Sequence, residues 1–328
     1  MNAVVYSEYG GPEVLQLIDV EMPAPGPGEV LVKVHSAAVN PADWHLVRGV
    51  PFPIRMVTGG FRRPKPQRRV CGDFSGTIAA IGTGVTGVAV DDPVFGYSER
   101  GGALAEYLTV PADKVAGRPE RLTFDQAASV PLAGLTALQI LRKAQVRRGQ
   151  HVLIVGAAGG IGTLAVQIAK ASGAHVTGVQ STSAVDLVRS LGADRVIDYT
   201  KEDFTTGDAR YDVVFDNVCN HTLAAVRRVL KPGGTFVPNG GGSPEKGISL
   251  GGLLRVVASR PFISQKVLFG VTKPNRADLQ VLADMIQAGT LTPVIDRCYP
   301  LTAAAEAFRH LESGHAHGKI VVTVATPA

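Results

Sequence analysis

The sequence predicts an α/β chain in which a doubly wound parallel sheet follows a smaller, β-rich, barrel-like domain. Three observations predict it. In VLIVGAAGGIGTLAVQIAK, Val152 to Lys170, an apolar run enters a burst of glycines and a helical pattern follows at once. Strand-like and helix-like segments alternate after it, whereas short strand-like alternations broken by turns precede it. With 328 residues the chain exceeds what one hydrophobic core usually serves, so two domains are expected.

Up to about Arg121 the strand pattern holds. GEVLVKVHSAAV alternates Val30, Val32 and Val34 with charged or polar neighbours, as a half-buried strand does. SGTIAAIGTGVTGVAVDDPVFGY reads as short strands with glycine at the corners. From Phe124 the pattern changes. FDQAASVPLAGLTALQILRKA reads as helix, bent near Pro131 and Gly134. HVLIV, HVTGV, DRVID, YDVVFD, GTFVP and KVLFGV are six strand candidates separated by helices, which right-handed crossovers join into a parallel sheet. Between the first two, Ile161, Leu164, Ala165, Ile168 and Ala169 form one apolar helical face. Leu279, Leu282, Ala283 and Ile286 form another before a last helix. The closing strand KIVVTV resembles the first segment, so the tail is expected to return to it. The expected domains are residues 1–122 with 277–328, and residues 123–276.

Hydrophobic residues at 45% and charged residues at 19% are ordinary for a globular protein. No apolar run approaches the roughly 20 residues of a membrane span, so no membrane partner is expected. The start, MNAVVYSEYGGPE, has neither a basic nor an apolar leader region, which makes the cytoplasm the expected location. Cys71, Cys219 and Cys298 lie far apart, without a CxxC pair, and read as free thiols in a reducing compartment. Positive charge concentrates in FRRPKPQRR, Phe61 to Arg69. It reads as a solvated, proline-stiffened loop; the other reading is a grip on an anionic ligand. Nucleic acid is not expected, because no recognition motif accompanies the charge.

In GAAGGIG the glycines at 156, 159 and 162 suit a dinucleotide. Gly156 permits the tight turn off the strand, Gly159 lets the backbone approach a pyrophosphate, and Gly162 lets helix and sheet pack closely. The helix N-terminus offers unpaired N–H groups to the anion. This is the Rossmann pattern. The next strand ends in Gln180-Ser181-Thr182-Ser183, where NAD enzymes usually carry a carboxylate for the ribose hydroxyls. Hydroxyls can instead donate to a 2′-phosphate, so the sequence leans to NADP, with plain helix-capping serines as the alternative.

Taken with PAPGPGEVLV, NPADW, GDFSGTIAAIG, DDPVFGY, GGALAEY, AASVPLAGLTAL, LGADRVIDY, LKPGGTFV and AFRHLESGHAHGKIVV, the chain resembles the medium-chain dehydrogenase/reductase superfamily from end to end. It is most similar to the zinc-independent quinone oxidoreductase branch, which includes zeta-crystallin. The resemblance implies a GroES-like catalytic domain, completed by the C-terminal tail, with the nicotinamide in the cleft between domains. Zinc-dependent relatives place a cysteine near NPAD and a His-Glu pair near GDFSG. Here Asn40-Pro41-Ala42-Asp43 and Cys71-Gly72-Asp73-Phe74 stand there, and three scattered cysteines cannot form a four-sulfur site. Cys71 reads as a buried cysteine rather than a metal ligand.

The implied activity is reduction of a quinone or an α,β-unsaturated ketone or aldehyde by NADPH. Asn40 and Asp43 would stand beside the nicotinamide, the alternative being a simple Asn-Pro turn. Relatives often carry a tyrosine just beyond; here Trp44 and His45 follow, so His45 is the candidate proton donor, against a structural surface histidine. For the cofactor, the resemblance implies Ala157, Ala158, Gly159, Gly160 and Ile161 at the pyrophosphate, and Ser181, Ser183 and Tyr199 at the 2′-phosphate. A basic residue that close relatives show at Ser183 is missing. Asn217, Val218, Pro238, Asn239, Gly240, Phe269, Gly270 and Thr136 would line the cofactor, and Lys319 would reach toward it. The segment from Gly241 to Gln265 would cap the cleft. The strand Lys266 to Val271, apolar and open-edged, would pair with its mate in a homodimer. Two alternatives remain: a reductase of enoyl thioesters, with the basic loop on a carrier's phosphates, and an NADPH-holding protein whose basic loop grips RNA or an acidic partner.

Overall fold

A computed structural model of the chain describes residues 1–240 and 264–324. The expected cap, Gly241 to Gln265, falls almost wholly outside the described residues. The chain divides into Met1–Leu135 with Lys273–Ala328, and Thr136–Thr272. The first division falls later than residue 122 because the helix Phe124–Ala128 packs on strands of the N-terminal unit.

In that unit, β1 (Asn2–Tyr6), β2 (Gln16–Asp19) and β4 (Arg68–Arg69) make a small sheet around β1. The larger sheet is organised by the 11-residue β3 (Glu29–Val39). One side of β3 pairs with β5 (Asp73–Ile81), which continues to β6 (Pro93–Tyr97) and β8 (Val115–Gly117). Along its other side, β3 pairs first with β7 (Tyr107–Pro111). This change of partners explains a departure from the expected alternation. Ser36 to Val39 are buried on both faces, because β3 is central rather than half-exposed. Its end runs into α1 (Pro41–Arg48), with Asn40 in extended backbone at the N-cap, Pro41 at the first position, and Gly49 at φ 63 closing the helix. A second short helix, α2 (Arg55–Thr58), follows.

The helix expected as one bent element is two, α3 (Phe124–Ala128) and α4 (Pro131–Lys143). Thr123 and Gln126 exchange hydrogen bonds as a capping box that starts α3. Pro131 opens α4, where its missing N–H costs nothing. Gly134 causes no bend; a Cβ there would come within 2.9 Å of Leu282 Cδ1, so it serves close packing.

The second unit holds six parallel strands: β9 (His151–Val155), β10 (His175–Gln180), β11 (Arg195–Asp198), β12 (Tyr211–Asp216), β13 (Leu230–Pro238) and β14 (Lys266–Val267). Their order, β11-β10-β9-β12-β13-β14, reverses direction between β9 and β12. Ligands of open α/β sheets bind at that reversal, outside the carboxyl ends of the strands. After β9 comes α5 (Gly160–Ala171), which is buried more widely than one face: Thr163, Val166 and Gln167 are inside together with Leu164, Ala165, Ile168 and Ala169, while Ile161 is only half-buried. The last strand is shorter than KVLFGV. Beyond it Leu268 N–H still donates to Phe236 O at 2.9 Å, and the Phe269 carbonyl accepts from Lys143 Nζ at 2.9 Å.

The tail returns to the first unit. After α6 (Val185–Ser190) and α7 (Leu223–Val229) of the second unit, helix α8 (Arg276–Gln287) buries the expected Leu279, Leu282, Ala283 and Ile286. Strand β15 (Ile295–Pro300), helix α9 (Ala304–Glu312) and strand β16 (Lys319–Thr323) follow. β16 lies antiparallel to the second half of β3, with Ile320 opposite Val39.

Candidate functional site

The glycine turn sits where the sheet order reverses. Gly156 has φ 72, and a side chain there would come within 3.1 Å of Val218 Cγ2. A Cβ on Gly162 would collide with the Gly156 carbonyl, so only glycine lets α5 start this close to its strand. The N–H groups of Ala157, Ala158 and Gly159 are already taken, by Val179 O, Gln180 Oε1 and Gly156 O. Those of the helix's first turn, Gly160 to Gly162, have no partner within the helix. The N-cap is Gly159, which has no side chain to satisfy them. Within the stretch 157–161, Gly160 and Ile161 thus offer the donors, while Ala157 and Ala158 are fully buried beneath. An anion fits this cradle.

Gln180 and Asp198 end neighbouring strands in register. Ser181 and Ser183 stand with hydroxyls 3.1 Å apart, and Tyr199, 58% exposed just after β11, donates its N–H to Gln180 O at 3.1 Å. A carboxylate absent from the end of β10 is thus supplied by the next strand. Asp198 accepts from the Thr182 hydroxyl at 2.5 Å, the Thr200 hydroxyl at 2.7 Å and Lys201 Nζ at 3.1 Å. The Thr182 bond foremost holds its carboxyl below the usual carboxylate range. Parallel register, invisible in a local reading, brings Asp198 here.

Across the reversal point, the fully buried Asp216 shapes the turn after β12. Its Oδ1 accepts the N–H groups of Val218 at 2.9 Å and Cys219 at 2.8 Å, and burial raises its pKa. Asn217 Nδ2 donates to Val155 O at 3.1 Å, and Asn239 Nδ2 donates to Asn217 Oδ1 at 3.0 Å. Pro238 pairs in register with Asp216, and Gly240 N–H donates to Cys219 Sγ. The expected cofactor residues Asn217, Val218, Pro238, Asn239 and Gly240 therefore form one bonded group. In the same unit the Thr136 hydroxyl meets that of Thr272 at 2.7 Å, and a side chain on Gly270 would meet Ile140 at 2.8 Å.

The N-terminal unit contains a buried polar cluster. Lys319, 4% exposed, donates from Nζ to Asn40 Oδ1 at 2.5 Å, Asp73 Oδ2 at 3.1 Å and Val39 O at 3.2 Å. Asn40 Nδ2 donates to Asp73 Oδ2 at 2.9 Å, and Asp73 Oδ1 accepts the Leu132 N–H in the first turn of α4 at 2.7 Å. The amide of Asn40 is gripped from both ends. Asp43, at the third position of α1, accepts the Asn40 N–H at 2.8 Å. Burial pushes its carboxyl up to about 7, against the Asn40 hydrogen bond and with help from the Asp73 charge.

His45 is buried, not on the surface. Its Nδ1 lies 2.7 Å from Val50 O, so Nδ1 carries the proton and the neutral ring has no second one to give. Nothing local in the sequence marks Tyr97. It stands opposite Asp73 in register, its ring against Gly72, where no Cβ could fit. Burial foremost, with Asp43 and Asp73 nearby, raises its phenol pKa and keeps it protonated.

Zinc does not fit this donor set. Burial holds the Cys71 thiol well above its ordinary pKa. Asp73 is already neutralised by Lys319, whose ammonium a cation would have to displace. Among the described residues, no three His, Cys, Asp or Glu side chains gather as metal ligands would.

A parallel sheet of this order with a glycine turn at its reversal, joined to a β-rich unit completed by the chain's end, defines a nucleotide-dependent dehydrogenase or reductase. Residues 26–120 match the family described as alcohol dehydrogenase GroES-like domain, and residues 191–322 that described as zinc-binding dehydrogenase. The chain is 34% identical to the mitochondrial NAD(P)H oxidoreductase RTN4IP1 of Mus musculus, over 99% of this chain and 89% of that protein. It is also 34% identical to the chloroplastic NADPH-dependent alkenal/one oxidoreductase of Arabidopsis thaliana, over 98% and 79%. The quinone oxidoreductase of Coxiella burnetii superposes with a TM-score of 0.86 at 31% identity, covering 99% of each chain. The chain belongs to the medium-chain dehydrogenase/reductase superfamily, in the branch of the quinone oxidoreductases.

Two outcomes follow from the buried cluster. Lys319→Met leaves Asp73 charged and unpaired inside, and should lower unfolding free energy by about 3–5 kcal/mol; denaturant titration reads this, and a loss under about 1 kcal/mol contradicts the burial argument. Asp43 has a folded pKa of about 7 against an ordinary 3.8, so the folded chain holds this proton more tightly. Its contribution to stability is therefore full below pH 4, declines by roughly 1.4 kcal/mol per unit toward pH 7, and is flat above. Asp43→Asn should remove that slope. Parallel stability curves for parent and variant from pH 4 to 7 would show that Asp43 does not titrate there.

Proposed function

We propose that the protein is an NADPH-dependent reductase that transfers hydride, without zinc, to a quinone or to the β-carbon of an α,β-unsaturated ketone or aldehyde. The observation that carries it is the doubly gripped Asn40 amide, in a cluster where the Lys319 ammonium already pairs with Asp73. NADPH, when bound, supplies the hydride. The rest is the work of the chain. Gly160 and Ile161 offer their N–H groups to the pyrophosphate, and Ser181 and Ser183 offer hydroxyls to the 2′-phosphate. Thr182, Thr200 and Lys201 take up the Asp198 charge that would otherwise repel it.

Asn40 orients the reacting carbonyl with the Nδ2 hydrogen that Asp73 does not take, which rests at 3.5 Å from Ala38 O, and a rigidly held donor strengthens as charge builds on an enolate oxygen. Lys319 acts on this amide by positioning it, and its reach toward the cofactor belongs to the same proposal. Asp43 holds the start of α1 through the Asn40 N–H, and burial makes it keep its proton more tightly than an ordinary carboxylate. The proton that completes enone reduction comes from solvent, from Tyr97, or from His45 in its imidazolium form, since the neutral ring's Nδ1 proton is committed to Val50.

The similarity to the NADPH-dependent Arabidopsis alkenal/one oxidoreductase supports the enone and cofactor assignment. A homodimer through the edge of β14 and a cytoplasmic location belong to the same proposal; the two 34%-identical relatives are named as mitochondrial and chloroplastic.

NADPH oxidation with a panel of quinones, enones and enoyl thioesters tests the activity. NADPH should outperform NADH, since charge-assisted hydrogen bonds to the 2′-phosphate are worth roughly 1.5–3 kcal/mol each. Turnover should survive chelators, and Asn40→Ala should lower kcat for every active substrate. Unchanged kcat in that variant, or activity lost together with one zinc per chain, would refute the proposal. A monomer in light scattering at micromolar concentration would remove the dimer.

A further inference from the structure

Between Asp43 and Asp73 the chain carries seven lysines and arginines and no aspartate or glutamate, more positive charge than the net +5 of the whole. Among the described residues, Arg48 is the one of the seven that forms an ion pair, with Glu312. Arg62, Arg63 and Lys65 are exposed. Apolar side chains are exposed in the same stretch: Phe52 at 57%, Met56 at 69% and Phe61 at 52%.

The fold holds them outward. The Arg55 guanidinium lies 4.6 Å from the Tyr9 ring centroid and 5.3 Å from that of Phe52, and it donates to the Phe61 carbonyl at 2.9 Å. The Phe52 and Phe61 rings stack at 5.3 Å. Beneath them the Tyr9 hydroxyl donates to Gly60 O at 2.8 Å and meets the Thr58 hydroxyl, while the Lys65 N–H donates to Thr58 O at 3.1 Å. The display is built by hydrogen bonds, not left over from a slack loop.

Cations alone would suit any polyanion. Rings and a thioether among them suit a surface that offers hydrocarbon just below its phosphates. We infer that this face docks the protein on an anionic lipid bilayer, with Phe52, Met56 and Phe61 entering the headgroup–acyl boundary and Arg62, Arg63 and Lys65 on lipid phosphates. The expectation of no membrane partner rested on the lack of a spanning run, and docking on the surface needs none.

The test is sedimentation of the full chain with vesicles of phosphatidylcholine alone and of phosphatidylcholine mixed with phosphatidylglycerol. The chain should sediment with the mixed vesicles only, and less as salt rises. The double variant Arg62→Glu/Arg63→Glu should lower partition on the order of tenfold or more. Phe52→Ser/Phe61→Ser should lower it too, with every charge in place. Both pairs lie outside the core, and thermal unfolding at the parent's midpoint certifies each variant. No sedimentation with mixed vesicles overturns the inference. So does a phenylalanine variant that binds vesicles and single-stranded RNA as the parent does while the arginine variant loses both, for the face would then be a general polyanion site. No turnover is read, so this result is separate from the reductase proposal.

Discussion

The buried ammonium of Lys319 is the constraint on which the first unit depends. It lies on the last strand, yet its partners Val39, Asn40 and Asp73 come from the first quarter of the chain. An ion pair with a fully buried carboxylate is tolerated only when the remaining lone pairs and protons are matched. Here they are: Asp73 receives Lys319 and the Asn40 amide on one oxygen and the Leu132 N–H on the other. The register of β16 on β3 brings Lys319 to the end of β3, where α1 begins. A slip of one residue would turn Lys319 to the other face and strand Asp73. Closing the sheet and fixing the Asn40 side chain are therefore one event.

The glycine turn of the second unit obeys a different constraint, that of approach. Gly162 admits the backbone of Gly156 and Ala157, and Gly159 leaves the first helical turn without a side-chain cap. Donors left open at a helix start cost free energy unless water or an anion takes them. A folded chain that omits so cheap a cap has kept those donors for a ligand.

Much of this was legible in the sequence because it is local. Alternation marked β3, glycine spacing marked the turn, and the 3.6-residue period marked α5 and α8. What was not legible depends on partners distant in sequence. The burial of Ser36 to Val39 needs β16, from the far end of the chain. Asp198 reaches Thr182, and Tyr97 faces Asp73, only through strand register. Lys319 appears in sequence as a lone charge opening an apolar strand, and nothing near it names Asp73. The split between α3 and α4 was half legible: Pro131 marked an interruption, but its fit to a first helical position, which makes two helices of one, depends on the chain leaving α3 at Ser129 and Val130.

The same stretch shows how the fold sorts charge. Asp43 and Asp73 bracket it from inside, the first with its carboxyl pKa pushed up by burial and the second paired with Lys319. All seven intervening cations are left without a carboxylate of their own segment, and Arg48 alone among the described residues borrows one, Glu312. Had the acids been outside, they would have screened the cations and flattened the field of that face. Had a cation been inside, it would have competed with Lys319 for Asp73. Placing the carboxylates in the core therefore does two things at once: it holds the Asn40 amide rigid within, and it leaves a positive, partly apolar face without.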